Sequence, residues 1–203
     1  MIDRINVSES VEIVGSLIKN SRHSHFEQHK KNQRIDIKNN NNIYCIETGR
    51  ISFYRTQDNV LTITMTAPCL AGIAQMLFQY QTHYIRCEES CNMWVISNQE
   101  MKELVSQNNL WMHMYNLLAK QVQQYFEREY MISQKSTREI VLQHLAYIWD
   151  MPEEERISTS IYNFILLRTH LSRSGIHKVI SELEKEMMIE TSRGKLIHLK
   201  KYI

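Results

Sequence analysis

Apolar residues near the amino terminus recur at intervals of three and four positions. The recurring residues are Val11, Val14, Leu17 and Ile18. This spacing places them on one face of a helix, with polar residues on the other face. The segment SESVEIVGSLIKN is therefore predicted to form a short amphipathic helix.

The pattern changes between Phe26 and Ser97. Short runs of β-branched and aromatic residues alternate with polar ones, and Asn-rich, Thr-Gly, Asp-Asn and Ala-Pro segments separate the runs. The runs are RIDIK, IYCIETGRISFYRT, VLTITMT, HYIRCEE and NMWVIS. Several short strands at this spacing predict a β-sandwich or jelly roll.

A long helical stretch follows Ser97, which forms a capping box with Glu100. The sequence then continues without glycine or proline for more than thirty residues, which predicts a short helix running into a long one. Its apolar stripe consists of Leu110, Met114, Leu117, Leu118, Val122 and Phe126, followed by Tyr125 and Tyr130. A small β domain could not cover the whole stripe, so we expect Leu110 to Phe126 to pack on a second copy of the chain. Packing within the same chain is the alternative.

Ser136 and Glu139 repeat the capping box and open the predicted helix TREIVLQHLAYIWD. The segment MPEEER after it is predicted to be a solvated loop, because Pro152 and three acids follow one another. Two more helices are predicted from apolar residues at helical spacing. The first has Ile161, Phe164, Ile165 and Leu167, and the second has Ile176, Val179, Ile180 and Leu183.

The polar residues around the last helix are those that a helix in a DNA groove requires. Ser172 is placed to cap this helix. The cap puts four polar side chains on the first turns of the helix, those of Arg173, Ser174, His177 and Lys178. After Met188, IETSRGKLIHLKK predicts a strand, a tight turn and a strand with cations at the tip. The predicted DNA-contacting residues are Thr169, Ser172, Arg173, Ser174, His177, Lys178, Arg193 and Lys195.

The charge distribution agrees with a polyanionic partner for this end of the chain. The net charge is only +2, but residues 156–203 carry nine lysines and arginines against four glutamates. Hydrophobic residues make up 43% and charged residues 23%, as in globular proteins. No apolar run is long enough to span a membrane and no signal peptide opens the sequence, so we expect a cytoplasmic protein without a membrane partner.

The segment RTHLSRSGIHKVISELE resembles the helix-turn-helix of the bacterial CRP/FNR superfamily, whose recognition helix reads SR-x-x-V-x-R-x-L-x-x-L-E. The resemblance places Arg173 on the base-reading arginine of that family, Ser174 on a base-reading acid and Lys178 on a second basic contact. His170 and Leu166 depart from the family, which has small residues there. Within the superfamily, LRTHLSRS followed by GKLI is similar to the enterobacterial inhibitor of peroxide resistance branch.

This resemblance implies an α+β fold in three parts. They are an N-terminal jelly-roll domain like those that bind cyclic nucleotides (1–107), a dimerisation helix (108–134) and a C-terminal winged helix-turn-helix (135–203). The implied function is that of a homodimeric transcription regulator on a roughly palindromic operator, in stress or virulence gene control. Double-stranded DNA and RNA polymerase are the expected partners, and we expect neither catalysis nor a cofactor.

The β domain lacks the Gly-Glu and Arg-Ser motifs with which the family holds a cyclic nucleotide. Arg86 is the nearest cation, and Glu88 and Glu89 beside it would repel a phosphate. We therefore expect no cyclic nucleotide to bind. A ligand- or redox-sensing β domain is an alternative, with Cys87 and Cys91 as the candidate redox pair. The four cysteines otherwise predict no disulfide framework.

A third interpretation is a cupin-like metalloenzyme, since His-x-His on a strand places both imidazoles on one face. The histidines concerned are His23, His25 and His29. Glu27 is at the wrong offset for a cupin motif, the flanking glycines are missing and no second motif follows. An exposed polar strand is the interpretation that we favour, and no metal site is predicted.

Overall fold

The computed structural model describes residues 6–37, 41–75 and 82–200. The chain divides into two compact units, Met1–Phe126 and Glu127–Ile203. In the described ranges, no helix has both the length and the apolar character needed to cross a bilayer.

The described strands of the first unit are β1 (His25–His29), β2 (Arg34–Ile35), β3 (Asn42–Thr48), β4 (Arg50–Arg55), β5 (Leu61–Thr66), β6 (Cys69–Ala71), β7 (His83–Cys87) and β8 (Cys91–Ser97). They form two four-stranded antiparallel sheets, with the strand orders β1-β8-β3-β6 and β2-β7-β4-β5. The helices of this unit are α1 (Val7–Lys19), α2 (Asn98–Gln107) and the first part of α3 (Trp111–Ile132). The predicted jelly-roll architecture is confirmed.

Two large hydrophobic cores and a small cluster of Tyr54, Leu61 and Tyr84 lie in the described part of this unit. The core of the roll includes Ile46, Ile51, Ile85 and Met93, which both sheets contribute. A second core joins α1, α2 and α3 to the β1-β8-β3-β6 sheet through Val14, Ile18, Ile43, Met101 and Met114. Of the face predicted from Val11, Val14, Leu17 and Ile18, α1 buries Val11, Val14 and Ile18, while Leu17 is half-buried.

The break between α2 and α3 follows from local sequence. Ser97 accepts a hydrogen bond from the backbone N–H of Glu100 (3.2 Å), as the predicted N-cap does, and its hydroxyl donates one to the Glu100 carboxylate (2.8 Å). Asn109, with φ 55°, ends the helical path between the two helices. The prediction of a short helix followed by a long one is confirmed.

The second unit contains four helices after α3 and a two-stranded antiparallel hairpin. They are α4 (Thr137–Trp149), α5 (Glu153–Ser158), α6 (Ile161–Arg168), α7 (Arg173–Lys185), β9 (Ile189–Ser192) and β10 (Lys195–Leu199). One core collects the buried faces of α4, α6, α7 and the hairpin. Ser136 caps α4 as predicted, by accepting a hydrogen bond from the N–H of Glu139 (3.2 Å). The unit therefore has the predicted winged helix-turn-helix form.

Two local predictions need correction. The segment MPEEER is not a loop, because α5 begins at Glu153 directly after Pro152. Acids in a first helical turn interact favourably with the helix dipole, and proline is tolerated at a helix start. Leu167 is 39% exposed, whereas Leu166 packs against the core. The helical period carries Leu167 away from the face that Ile161 and Ile165 share.

Candidate nucleic-acid interface

The turn between α6 and α7 is built from side chains that bond to the backbone. The hydroxyl of Thr169 donates a hydrogen bond to the carbonyl of Ile165 (2.8 Å) and accepts one from the N–H of Leu171 (3.3 Å). Ser172 accepts a hydrogen bond from the N–H of Gly175 (3.0 Å), as an N-cap does. Of the predicted DNA-contacting residues, Thr169 and Ser172 thus shape the turn.

The solvent-facing side of α7 carries the other four predicted side chains of this helix. Arg173, Ser174, His177 and Lys178 are all exposed. On the opposite side, Ile176, Val179, Ile180 and Leu183 lie in the core with at most 6% exposure. The structure thus brings the four polar residues together on one face of a firmly packed helix.

The hairpin β9–β10 lies next to the start of α6. Its turn residues Arg193 and Gly194 have φ angles of 49° and 75°, which is typical of the tight turns that join two strands. The carbonyl of Gly194 accepts a hydrogen bond from the N–H of Ile161 (3.0 Å). Arg193 is exposed, whereas the ammonium of Lys195 donates a hydrogen bond to the carbonyl of Ser158. Lys195 therefore ties the wing to the residues before α6.

Tyr162 also belongs to this surface and is not among the residues predicted from the sequence. Its hydroxyl lies 3.0 Å from Nδ1 of His177, and the guanidinium of Arg173 lies 5.4 Å from the centre of its ring. No local sequence signal marks this tyrosine, because both contacts cross from α6 to α7.

The predicted dimerisation residues, which lie on α3 and, for Leu110, directly before it, divide into two groups. Met114 and Leu117 are only 4% exposed and belong to the core of the first unit, and Leu110 packs against that core. The chain itself packs these three side chains against its own core, so the proposed dimer contact rests on the other three. Leu118, Val122 and Phe126 are 36%, 42% and 67% exposed. Beside them, Trp111, Tyr115 and Tyr125 are exposed and extend the apolar stripe.

The candidate redox pair lies inside the roll. Cys87 and Cys91 are free thiols with at most 1% exposure. Burial, and the nearby Cys91, raise the pKa of Cys87 to about 12. Burial likewise raises the pKa of Cys69 to about 12 and that of Cys45 to about 11. The thiols of Cys45, Cys69 and Cys87 therefore stay protonated at neutral pH, and the protonated form is a poor nucleophile.

Arg86 is engaged by groups of its own unit. Its guanidinium forms an ion pair with Glu88 (3.2 Å), donates a hydrogen bond to the hydroxyl of Tyr54 and lies 4.3 Å from the centre of that ring. Tyr54 also donates a hydrogen bond to Glu88 (3.0 Å). An anion at this position would have to compete with the carboxylate of Glu88.

The histidines of β1 share one carboxylate. The imidazoles of His25 and His29 lie 2.8 and 2.7 Å from the two oxygens of Glu27, while His23 pairs with Glu100. Burial acts to raise the pKa of Glu27, but the hydrogen bonds with His29 and His25 outweigh it and hold the pKa below its ordinary value. Within residues 6–37, 41–75 and 82–200, no group of three or more His, Cys, Asp or Glu could hold a metal ion.

Comparison with known proteins agrees with this geometry. Residues 137–202 match the family model described as "Winged helix-turn-helix DNA binding". The chain is 30% identical over 160 residues to the inhibitor of hydrogen peroxide resistance of Escherichia coli, which covers 78% of this chain and 77% of the relative. The corresponding protein of Salmonella typhimurium is 26% identical over 161 residues, 79% of this chain and 77% of the relative.

Solved structures share the architecture at low sequence identity. The c-di-GMP-responsive global regulator of Xanthomonas campestris has a TM-score of 0.71 at 12% identity, over 96% of this chain and all of that one. A transcriptional regulator of the CRP/FNR family from Eubacterium rectale has a TM-score of 0.64 at 16% identity, over 92% of this chain and 89% of that one. At these identities, the two similarities establish the fold.

Proposed function

The chain belongs to the inhibitor of hydrogen peroxide resistance family and is a DNA-binding transcription regulator of the CRP/FNR type, and we propose that it binds a roughly palindromic operator as a homodimer. The observation that carries this proposal is the outward face of α7. Its polar and basic side chains stand over a packed core, beside a wing with an exposed arginine.

α7 is the proposed recognition helix, and in the dimer each copy of α7 would enter the major groove of one half-site. Arg173 is proposed to read a guanine, because a guanidinium can donate to both acceptors on its major-groove edge. Lys178 and Arg193 are proposed to bind phosphates, which positions the protein without selecting a sequence. Ser174 and His177 would supply further base or phosphate contacts from the same face.

The partner proposed for the exposed stripe of α3 is a second copy of the chain. The resemblance to CRP/FNR regulators implies a dimer, and aromatic residues are enriched at the centre of protein interfaces. Leu118, Val122 and Phe126, with Trp111 and Tyr115, supply such a surface. A twofold dimer would present two recognition helices about one helical turn of DNA apart.

The β roll is proposed not to bind a cyclic nucleotide. Glu88 already neutralises Arg86, and the Gly-Glu motif that would hold a ribose is missing. The names of the relatives support a role in the control of peroxide-stress genes. We do not propose an enzymatic activity, and RNA polymerase is the expected partner on DNA.

A cavity in the first unit favours ligand sensing as a second candidate function. It has a volume of about 250 Å³. Its lining, which is mostly apolar, is Phe53, Thr62, Ile63, Met65, Ala74, His83, Leu118, Gln121, Val122 and Tyr125. Ligand pockets typically have volumes of about 300–1,000 Å³. This cavity is smaller, and it suits a small apolar molecule.

Binding of the fluorescent probe 1-aminoanthracene tests this second candidate. Binding that Ile63→Trp abolishes would support a ligand site in the cavity, whereas absence of binding to the unaltered protein would contradict it.

Selection of bound duplexes from random DNA tests the main proposal. We expect enrichment of an inverted repeat whose half-site centres lie about 10 base pairs apart or a multiple of that. Recovery of unrelated sequences at the frequency of the starting pool would contradict the proposal.

A further inference from the structure

Tyr162 occupies a central position among the residues proposed to contact DNA. It stands in the first turn of α6, where the carbonyl of Gly194 and the side chain of Lys195 bond the wing to the neighbouring backbone. A Cβ atom at Gly194 would lie 3.8 Å from the ring of Tyr162. The same ring faces Arg173, and its hydroxyl meets His177. One side chain thus contacts both helix residues and lies beside the turn of the wing.

The hydroxyl of Tyr162 can orient the protons of the imidazole. Burial raises the pKa of Tyr162, with Glu184 adding to the effect and Arg173 opposing it, so the phenol keeps its proton at neutral pH. A phenol that donates to Nδ1 requires the neutral imidazole to carry its proton on Nε2. His177 is exposed, and its Nε2–H is then a hydrogen-bond donor for a partner in solution.

A donor at Nε2 matches particular atoms of DNA. Guanine offers N7 and O6, adenine N7 and thymine O4 in the major groove, and every phosphate offers oxygens. The opposite tautomer would present a lone pair at Nε2, which these acceptors repel. The ring of Tyr162 also restricts Arg173, since a guanidinium over an aromatic face is attracted to it. Ordering before binding reduces the entropy lost on binding.

We propose that Tyr162 is a positioning residue of the DNA-reading surface: its hydroxyl holds the imidazole of His177 with Nε2–H outward, and its ring limits the orientations of Arg173. The proposal rests on the proposed function for its DNA-binding consequence. The orientation of His177 in the free protein does not depend on DNA.

Tyr162→Phe is the test variant, because it removes the hydroxyl and keeps the ring. Tyr147→Phe is its matched control. Tyr147 is 46% exposed in the same unit and stacks on Phe164 (ring centres 5.7 Å apart), away from the contacts of Tyr162.

The first measurement is the pair of imidazole ¹⁵N chemical shifts of His177 in the full-length free protein, at a pH where the ring is neutral. In the unaltered protein we expect widely separated Nδ1 and Nε2 shifts, as one tautomer gives. Tyr162→Phe should bring the two shifts closer, and Tyr147→Phe should leave them unchanged. Shifts that Tyr162→Phe does not alter would overturn the proposal.

The second measurement is affinity for the selected duplex and for a duplex of random sequence. Tyr162→Phe should weaken binding to the selected duplex about 3- to 10-fold, the weight of one hydrogen bond. The random duplex should change less than about twofold, because phosphate contacts dominate nonspecific binding. Adding Tyr162→Phe to His177→Ala should produce little further loss, since the hydroxyl acts through the imidazole.

Equal losses on the two duplexes, the same loss from Tyr147→Phe, or fully additive losses in the double variant would overturn the proposal. Failure of the proposed function is seen separately, because the unaltered protein would then bind the two duplexes alike.

Discussion

The polar side chains of α7 are available for recognition because the opposite side of the helix is already packed. Ile176, Val179, Ile180 and Leu183 are in the core, and Ser172 caps the first turn. Burial of such side chains stabilises a fold by about 1.5–3 kcal/mol each. Substitutions on the polar side of α7 should therefore change DNA recognition more than they change the free energy of unfolding.

Arg173→Ala should weaken binding to the selected duplex by about 1–3 kcal/mol, roughly 5- to 150-fold, and relax the preference at one base pair of each half-site. The reason is the loss of a guanidinium that can meet both acceptors of a guanine. Fluorescence anisotropy with selected and random duplexes measures the effect. Arg193→Ala is the control, and it should weaken both duplexes alike because a phosphate contact carries no sequence preference. If both variants affected both duplexes equally, Arg173 would not be the reading residue.

Residue-level features that depend on neighbours in the sequence could be predicted. The capping-box spacing predicts Ser97 and Ser136 as caps, the place of Ser172 before an apolar helical run predicts it as a third, and each one caps its helix. The contact of Lys195 with the carbonyl of Ser158 and the contact of Tyr162 with His177 could not be predicted. These pairs are distant in sequence, and the packing of α6 against α7 and the wing brings them together.

His144 should make the stability of the protein depend on pH. Burial, together with Arg168 and Arg128, lowers its pKa, while the hydrogen bond to the Ile140 carbonyl opposes the shift. Below about pH 6.5 the unfolded chain binds a proton that the folded chain resists. The free energy of unfolding should then fall as the pH falls, by at most about 1.4 kcal/mol per pH unit from this group.

Urea unfolding at pH 7.5 and pH 5.5, with His144→Leu for comparison, measures this contribution. Other groups titrate in both proteins, so the difference between their pH dependences isolates His144. We expect the variant to lose less stability on acidification than the unaltered chain. An equal loss in both proteins would exclude His144 as the source.

At the scale of elements, α3 has two apolar faces with different roles. Met114 and Leu117 anchor the helix to the first unit, whereas Leu118 and Phe126 face solvent. The apolar stripe predicted the helix, but it could not separate these faces, because apolar residues lie on both. The short helix α5 could not be predicted for a related reason. Acids next to a proline are common in loops as well as in the first turns of helices.

Phe126→Glu should separate the proposed dimer while leaving the protomer folded. Phe126 is 67% exposed in the single chain, so a carboxylate there costs the protomer little. In the dimer, burial of the carboxylate would cost about 2–4 kcal/mol of association free energy, which raises the dissociation constant roughly 30- to 1,000-fold. Sedimentation equilibrium measures this constant. Gln123→Glu adds the same charge outside the stripe and should leave the dimer intact; equal effects from the two variants would contradict the assignment of the stripe.

At the scale of the whole molecule, charge and architecture agree. Residues 156–203 have a net charge of +5 in a chain of +2, which favours association of this end with a polyanion.

The order of roll, long helix and winged helix-turn-helix could be predicted, because periodicity, caps and turn residues recur along the whole sequence. The division 1–107, 108–134 and 135–203 stays a proposal, as the boundary between the two compact units falls after Phe126, within the sequence of α3. The apolar cavity could not be predicted, since its lining comes from strands and a helix far apart in sequence.

The central claim is that two recognition helices, held by one homodimer, read two half-sites on the same side of the duplex. The measurement that tests it most directly compares three duplexes by fluorescence anisotropy: the selected sequence, the same sequence with one half-site scrambled, and the same sequence with five base pairs inserted between the half-sites. The insertion turns one half-site by about half a helical turn. We predict that scrambling and insertion each lower the affinity at least about 10-fold. Equal affinity for all three duplexes would contradict the claim.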